Sequence, residues 1–379
     1  MGHAPRNRQF QPFELERLLS QWEHRVEWNL SESGVCPLPL RELLIDPDTF
    51  EHLLATPLAY PQTNGLPELR ERIAALYPGA SPDQILVTNG CAEANFNALH
   101  TLTAPGDEVV LMRPNYMQLW GAARNAGIDV RSFALDEDRG WGLDPAALAS
   151  AVTPRTTLVA VSNPNNPTGH ILTDAEMAQI VAAADRVGAW LLADEVYAGS
   201  ERIRREVTPS FWGRYDRVIA TGGLSKAYGL PGLRIGWVVA PAGLADEIWA
   251  RQDYTTISTS ILSNTLAAIA LSPDTRARLI ARGRRYIQEG FDLLARWTAE
   301  HGRVLTVTPP DAGAIAFVRY ALPLDSTELC RRLLAEANVL VAPGDHFGCD
   351  RHLRLNHGLP AAYVQQGLDR IWNLIGSLT

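Results

Sequence analysis

Lys226 is the one lysine in this 379-residue sequence, and the other 33 of its 34 basic Lys and Arg residues are arginines. A codon preference for arginine could leave a surviving lysine anywhere, whereas a position that needs an amine would resist replacement. Arginine stays protonated and is a poor nucleophile, but lysine can lose its proton and form a Schiff base. We therefore predict that Lys226 reacts with a carbonyl group, rather than being a solvated surface residue.

Asp194 ends a strongly apolar run in the segment LLADEVYAG, so its carboxylate is expected to be buried. A buried carboxylate is costly unless a cationic group pairs with it. The N–H of a pyridinium ring is such a partner, and a protonated ring nitrogen makes pyridoxal phosphate an electron sink. Tyr197, three residues further on, could reach the phenolic oxygen of the same ring. The alternative is a helix-capping aspartate beside a surface acid.

Three further segments have features that suit the rest of such a ligand. A strand runs into Asn89-Gly90 and a helix begins at about Cys91, where free backbone N–H groups can bind a phosphate, although a plain strand-to-helix turn has the same pattern. Arg234 lies eight positions after Lys226 in a Gly-rich turn and offers a guanidinium to a phosphate dianion. The two Asn-Pro pairs of SNPNNPTGH, residues 162–170, would hold an asparagine side chain at a fixed angle.

The elements that position these residues alternate along the chain from about Asp83. Predicted strands are QILVTNG, DEVVLMRP, IDVRSFAL, TTLVAVSNP, AWLLADEVY and DRVIATGG, and the segments between the first five of them have the apolar spacing of helices. Strands this apolar are typical of parallel sheets covered on both faces, whose ligands bind at the carboxyl ends of the strands. Long helices follow Pro241, and strands are predicted at RVLTVTP, AIAFVRY and LRLNHG.

The segment SKAYGLPGLRIGW resembles the lysine signature of the class I/II, fold-type-I, aminotransferases, and NPNNPTG and DEVY are similar to two other signatures of that family. The similarity extends from about Glu32 to the C-terminus. It implies an α/β fold-type-I pyridoxal phosphate (PLP) transferase, with a large domain built on a mostly parallel seven-stranded sheet between helices, and a smaller α+β domain. The expected divisions are an N-terminal arm over residues 1–45 that contributes to the small domain and the substrate pocket, the PLP-binding domain over 46–255 and the small domain over 256–379.

The resemblance also implies how PLP is held. Lys226 would form the internal aldimine and then move the Cα proton, while Asp194 would pair with the ring nitrogen. Asn166 and Tyr197 would bind the 3-oxygen of the ring, and Tyr116 would stack on it. The phosphate would be bound by Gly90, Cys91, Ala92, Ser225 and Arg234. The sequence departs from the family pattern at Gly223, where Ser or Thr is usual, and at Cys91, which places one or two hydroxyl contacts to the phosphate in doubt.

Substrate and subunit contacts are implied in the same way. Arg354 in LRLNHG would clamp the substrate α-carboxylate, with Gly34 and Asn166 near it. Tyr60 resembles the tyrosine that reaches the phosphate of the neighbouring subunit, so a homodimer with shared active sites is expected. The region from Trp28 to Cys36 and the His346 loop would determine side-chain specificity, and His346 and His357 could touch the substrate.

Two reactions remain open for such a site. Transamination between an α-amino acid and a 2-oxo acid, through aldimine and quinonoid intermediates, is favoured because NPNNPTG and DEVY look like those of ordinary aminotransferases. SESGV, the lysine motif and RQDYTTIS also resemble capreomycidine-synthase-like enzymes of secondary metabolism, which cyclise arginine-derived amino acids, so a lyase or cyclase is the alternative. A non-enzymatic regulator with this fold is a third hypothesis, although the sequence shows no fused DNA-binding segment.

Composition excludes several other classes of function. A net charge of −8 argues against nucleic acid and anionic membrane surfaces as partners. Four scattered cysteines without a CxxC pair, and an N-terminus without an apolar signal run, favour a reducing cytoplasm as the location. The segment HFGCDRH, residues 346–352, has zinc-ligand residue types, but no second cluster completes a tetrahedral set, so no metal is expected.

Overall fold

The computed structural model describes residues 10–379. The helices are α1 (Glu14–Trp22), α2 (Leu40–Leu43), α3 (Pro47–Leu54), α4 (Pro67–Ala74), α5 (Cys91–Leu102), α6 (Gln118–Asn125), α7 (Pro145–Ala151), α8 (Asp174–Asp185), α9 (Ala242–Gln252), α10 (Ile261–Ala270), α11 (Pro273–Glu300), α12 (Ser326–Ala337) and α13 (Ala361–Ser377). The strands are β1 (Trp28–Asn29), β2 (Ile85–Thr88), β3 (Glu108–Arg113), β4 (Asp129–Asp136), β5 (Gly142–Leu143), β6 (Thr156–Ser162), β7 (Trp190–Asp194), β8 (Val218–Gly223), β9 (Gly236–Val239), β10 (Leu305–Val307), β11 (Ile315–Tyr320), β12 (Val339–Leu340), β13 (Ala342–Pro343) and β14 (His352–Asn356).

The large sheet has the strand order β2-β9-β8-β7-β6-β3-β4-β5. Its centre, from β8 to β4, is parallel, whereas β9 is antiparallel to both of its neighbours and β5 is antiparallel to β4. Almost every residue of β2, β3, β6 and β8 is buried because helices cover both faces of the sheet, as the apolar runs predict. The α/β prediction with a mostly parallel sheet is confirmed, and the two-residue β5 adds an eighth strand at the edge beyond the seven expected.

A second, antiparallel sheet has the order β10-β11-β14-β13. Helices α11, α12 and α13 pack on it around a core that includes Leu294, Leu333 and Leu368. Strand β1 forms a parallel pair with β12, in which Trp28 lies opposite Val339, so the N-terminal segment is attached to this smaller α+β part of the molecule. The division into three ranges stays a prediction, and residues 1–9 of the expected arm lie outside the described residues.

Two elements depart from the sequence-based prediction. Strand β9 is absent from the six segments assigned as strands of this sheet, although the resemblance implies a seventh, because it has four residues and follows the turn at Arg234 directly, without a crossover helix to mark it. Helix α1 lies within the segment expected to be an arm, and its Leu15 and Leu19 join the core formed by Val110 and Phe133 of the large sheet. Helix α1 therefore covers the same edge of the large sheet as the functional residues described below.

Candidate active site

Most of the residues predicted to bind a cofactor or substrate line one cavity of about 450 Å³. Ser162 ends β6, Asp194 ends β7, and Ser225 and Lys226 follow β8, so the carboxyl ends of three neighbouring parallel strands form the floor of this cavity. Ligands of open α/β sheets bind at this edge. The fold thus gathers residues that are more than sixty positions apart in the chain.

Lys226 lies on this floor with its amine directed towards a carboxylate. Its Nζ is 3.8 Å from Oε2 of Glu32, which lies on the segment after β1. Burial alone would lower the pKa of Lys226, but the charges of Glu32 and Tyr197 outweigh that effect and raise it. The same contact holds the pKa of Glu32 at about 2, mainly because of the positive charge of Lys226. The raised pKa favours the protonated amine, so Lys226 must lose a proton before it attacks a carbonyl group.

The carboxylate of Asp194 is held by donors from two elements. Nδ2 of Asn95 donates to Oδ2 at 2.8 Å, and the backbone N–H of Val196 donates to Oδ1 at 3.1 Å. Sγ of Cys91 lies 3.6 Å from Oδ1. Burial raises the pKa of Asp194, and these donors oppose the rise. A cation in the cavity would favour the ionised form further.

Two buried donor groups at the cavity lack a partner in the described part of the chain, as does the acceptor Oε1 of Gln118. The Tyr197 hydroxyl accepts and donates no hydrogen bond there, and neither does Nε of Arg354. The rest of the Arg354 guanidinium is fixed, since Nη1 donates to Oδ1 of Asn166 at 3.0 Å and Nη2 donates to the Ser31 carbonyl. Buried polar groups are seldom left unpaired in native proteins. Both groups therefore indicate a ligand with hydrogen-bonding oxygens.

The start of α5 is shaped to hold an anion. Gly90 has φ of 84°, which favours glycine, and a Cβ built on it would lie 2.4 Å from Nη2 of Arg234. Arg234 itself adopts the left-handed conformation with φ of 51°. Cys91, Ala92 and Arg234 line the cavity at this point. The free N–H groups of the first turn of α5 and the guanidinium thus lie together, as a phosphate requires.

Tyr116 lies on the cavity wall and is held by the N-terminal segment. Its hydroxyl donates to Oε1 of Glu16 on α1 at 2.7 Å, and Phe13 packs edge-on against its ring with centroids 4.8 Å apart. Phe13 and Glu16 also line the cavity. The N-terminal segment therefore closes one side of the site.

Other predicted residues lie away from the cavity lining. Gly34 packs behind Lys226, because a Cβ there would lie 2.9 Å from the carbonyl oxygen of Ser225. The side chain of Tyr60 is 84% exposed. His346 lines a separate cavity beside Thr327, and the buried ring of His357 packs against Phe291 instead. The expected substrate contacts of these residues stay predictions.

In the segment of residues 346–352, which has zinc-ligand residue types, Cys349 contacts His352, and His352 contacts Glu137. Sγ of Cys349 lies 3.6 Å from Nδ1 of His352, whose Nε2 lies 3.2 Å from Glu137. Across residues 10–379, no group of three or more His, Cys, Asp or Glu residues could hold a metal ion.

These features fit PLP. The primary amine of Lys226 can react with the aldehyde of PLP, and the Asp194 carboxylate can pair with its ring nitrogen. The unpaired Tyr197 hydroxyl can bind its 3-oxygen, and the start of α5 can bind its phosphate.

Comparison with known proteins agrees with this fit. The family model for aminotransferase class I and II matches residues 52–371, which is most of the chain. The chain belongs to this family. The prediction of the family is confirmed, and PLP is the cofactor of this fold-type-I enzyme.

Among known relatives, a capreomycidine synthase from Streptomyces vinaceus is 32% identical over 369 residues, covering 96% of this chain and 93% of that protein. A solved PLP-dependent aminotransferase from Streptococcus suis superposes with a TM-score of 0.91 at 30% identity, covering 98% of this chain and 99% of that one. The solved PLP-dependent cyclase OrfR gives a TM-score of 0.88 at 29% identity and covers all of both chains. This chain is thus similar to enzymes of both reaction types that its sequence left open.

Sequence reasoning did not single out four residues of the site. They are Glu16, Glu32, Asn95 and Thr221, whose hydroxyl donates to Asn95. Asn95 follows Cys91 by four residues on α5, so helical periodicity places it on the same face and could have found it. Glu32 lies inside the segment SESGV that drew attention to Gly34. Glu16 had no such signal, because it reaches Tyr116 only through the fold.

Proposed function

We propose that this protein is a PLP-dependent aminotransferase that acts on an α-amino acid and a 2-oxo acid. The observation that supports it best is the placement of the Lys226 amine in one cavity with the Asp194 carboxylate and the Arg354 guanidinium. Bound PLP supplies an aldehyde for imine exchange and a ring that withdraws electrons from the substrate Cα. The residues of the chain supply binding, orientation and proton transfer.

Arg354 would orient the substrate through its α-carboxylate. Its guanidinium is held from two sides by Asn166 and Ser31, so Nε and the remaining N–H groups are preorganised for an oxygen anion. A planar guanidinium binds a carboxylate through two parallel hydrogen bonds. The fixed carboxylate would direct the Cα–H bond towards the floor of the cavity.

Lys226 would take up the Cα proton at Nζ and then donate it to a carbon of the cofactor, as transamination requires. The amine can act as a base only when neutral, and Glu32 at 3.8 Å raises its pKa in the present arrangement. A cationic substrate group that pairs with Glu32 would withdraw that carboxylate and allow Lys226 to lose its proton. Glu32 would thereby couple substrate binding to the proton transfer.

We infer further that the substrate side chain is positively charged. Glu16 and Glu32 both line the cavity, and the negative charge of each opposes the lowering of the Arg354 pKa by burial. A second substrate carboxylate would meet these two anions, whereas an ammonium or guanidinium group would pair with them. The pair therefore favours a basic amino acid over a dicarboxylic one.

Cyclisation of an arginine-derived amino acid is the second candidate, and the acidic pair together with the similarity to capreomycidine synthase and to OrfR favours it. In that reaction a side-chain hydroxyl leaves as water, and a guanidine nitrogen forms the new bond to carbon. No oxidant and no 2-oxo acid are needed.

One experiment distinguishes the two reactions. The PLP-loaded protein is incubated with arginine, 3-hydroxyarginine or aspartate, each with and without 2-oxoglutarate, and the products are identified by mass spectrometry. Transamination predicts a 2-oxo acid and glutamate in equal amounts. Cyclisation predicts a product lighter by one water that forms without 2-oxoglutarate. Turnover of aspartate in preference to both basic amino acids would refute the proposed side-chain class.

We also propose a homodimer in the cytoplasm. Leu54, Leu58, Tyr60 and Tyr254 are exposed by more than half, and a second copy would cover such side chains. Among the described helices, none is long and apolar enough to cross a bilayer. Light scattering would test the assembly, because a monomer at micromolar concentration would contradict a shared active site.

A further inference from the structure

A series of hydrogen-bonded polar side chains lies beside Asp194, at the wall of the cavity. Thr221 on β8 donates from Oγ1 to Oδ1 of Asn95 at 2.8 Å, and Asn95 on α5 donates from Nδ2 to Oδ2 of Asp194 at 2.8 Å. Cys91 completes the group, with Sγ 3.4 Å from Oγ1 of Thr221. These hydrogen bonds therefore connect β8, α5 and β7, with Asp194 on β7 at their end.

These groups are in the interior, where an unpaired polar atom is expensive. Asn95 is 3% exposed and Thr221 is fully buried. An ionised carboxylate can only accept hydrogen bonds, so Nδ2 of Asn95 must face Asp194 and Oδ1 must face Thr221. The carboxylate thus fixes which way the amide points, and the hydroxyl of Thr221 supplies the donor that the amide oxygen needs. Removing that hydroxyl would leave Oδ1 of Asn95 buried without a donor and would loosen the hold of Asn95 on Asp194.

The arrangement also leaves Asp194 little freedom. Oδ1 is held by the backbone N–H of Val196 and Oδ2 by Asn95, so the plane of the carboxylate is set by two donors on different elements. A neutral hydrogen-bond donor at each oxygen favours the anion over the protonated acid. Burial of the site favours the protonated acid instead, because it raises the pKa of Asp194.

We propose that Asn95 is a positioning residue for the cofactor, which holds Asp194 ionised and oriented towards the ring nitrogen, and that Thr221 fixes Asn95 in this role. The proposal rests on the proposed PLP-dependent function. Asn95 acts through Asp194, and its effect on the cofactor depends on the proton of the ring nitrogen. It follows that Asn95 should matter for PLP and matter little for an analogue without that nitrogen.

The test measures cofactor affinity rather than turnover. Cofactor-free wild type, Asn95→Leu, Thr221→Val and Thr221→Ser are titrated with PLP and with its 1-deaza analogue, in which a C–H group replaces the ring nitrogen. Asn97→Leu is the matched control, because Asn97 is buried on the same helix but does not line the cavity. Urea unfolding of each cofactor-free variant verifies that it folds.

We expect Asn95→Leu to weaken PLP binding by about tenfold to a hundredfold, since it removes a hydrogen bond to a charged group. Thr221→Val should weaken it by a smaller factor, and Thr221→Ser, which keeps the hydroxyl, should restore wild-type binding. Affinity for the deaza analogue should change little in any of these variants. Asn97→Leu should bind both compounds as the wild type does.

Equal losses for PLP and the deaza analogue in Asn95→Leu would overturn the proposal, because they would show a general loss of cavity structure. Wild-type affinity of Asn95→Leu for PLP would overturn it as well. Failure of the wild type to bind PLP would instead contradict the proposed function, so the two failures are distinguishable.

Discussion

Replacement of Tyr197 by phenylalanine should have opposite effects on the protein with and without its cofactor. The Tyr197 ring is 2% exposed, and its hydroxyl has no hydrogen-bond partner within residues 10–379. An unsatisfied buried polar group costs about 1–3 kcal/mol. Tyr197→Phe removes that cost, so the free energy of unfolding of the cofactor-free protein should rise by about 1 kcal/mol or more.

In the PLP-loaded protein, the same hydroxyl would donate to the ionised 3-oxygen of the ring. A hydrogen bond to a charged group contributes about 1.5–3 kcal/mol, so the PLP dissociation constant of Tyr197→Phe should rise by about tenfold to a hundredfold. Because ligand binding stabilises by RT ln(1 + [L]/Kd), a tenfold weaker affinity lowers the stability of the loaded protein by about 1.4 kcal/mol at fixed, saturating PLP. The stability advantage of the variant should therefore shrink by about 1.4 kcal/mol or more when PLP is added, so a gain of about 1 kcal/mol in the cofactor-free protein becomes a loss.

The assay is urea unfolding at one protein concentration, with and without PLP, alongside a fluorescence titration of PLP affinity. Tyr228→Phe is the matched control, because Tyr228 is equally buried but its hydroxyl accepts a hydrogen bond from Nε of Arg276 at 3.2 Å. The control should lose about 1 kcal/mol in both states and keep its PLP affinity. A Tyr197→Phe variant that is destabilised equally in both states, with unchanged PLP affinity, would refute the reasoning.

Three other predictions concern single positions. Lys226→Arg keeps the charge but loses the reactive amine, so borohydride treatment with PLP should leave no covalent adduct by mass spectrometry; an adduct elsewhere would contradict the assignment. Glu32→Gln should raise the KM for a basic amino acid by about tenfold and leave that for a neutral one nearly unchanged, whereas an equal rise for both would exclude a charge effect. His170 is largely buried, which would lower its pKa, but Asp311 and Glu176 at 3.4 and 3.5 Å raise it to about 9. Since the pKa in the unfolded chain is about 6.5, the protonated ring contributes its stabilisation fully below pH 6.5, and this contribution, at most about 3 kcal/mol, is lost as the pH rises through 9. Urea unfolding from pH 6 to 9.5 should show this loss in the wild type and a flatter profile in His170→Gln.

The cofactor-facing half of the site could be predicted because each signal lies within one short segment. A carboxylate at the end of the apolar run before Asp194, a single amine at Lys226 and a glycine before the helix at Cys91 can each be recognised locally. The rule that ligands bind at the carboxyl ends of parallel strands then brings them together, and the structure has them in one cavity. The fold class followed from the same alternation of strands and helices.

On the substrate-facing side, the resemblance indicated Arg354 and the region from Trp28 to Cys36, but the individual acidic residues could not be predicted in this way. Glu16 reaches the cavity because α1 packs its leucines against the large sheet, and no local pattern states where an amphipathic helix will dock. The hydrogen bond between Thr221 and Asn95 joins residues 126 positions apart, so no local sequence pattern predicts it. Strand β9 is too short to show a period. Long-range packing decides all three, and a single sequence carries little information about it.

The N-terminal stretch that runs from α1 through β1 to Ser33 has a consequence for how this enzyme could diversify. The two acids that line the cavity and that we propose face the substrate, Glu16 and Glu32, come from this contiguous stretch, whereas the groups suited to PLP come from later parts of the chain. A gene fusion near Gly34 would exchange both acids in one step and keep Lys226, Asp194 and Arg354 in place. Chimeras of this kind between related proteins would therefore inherit their amino acid preference from the donor of the first 33 residues.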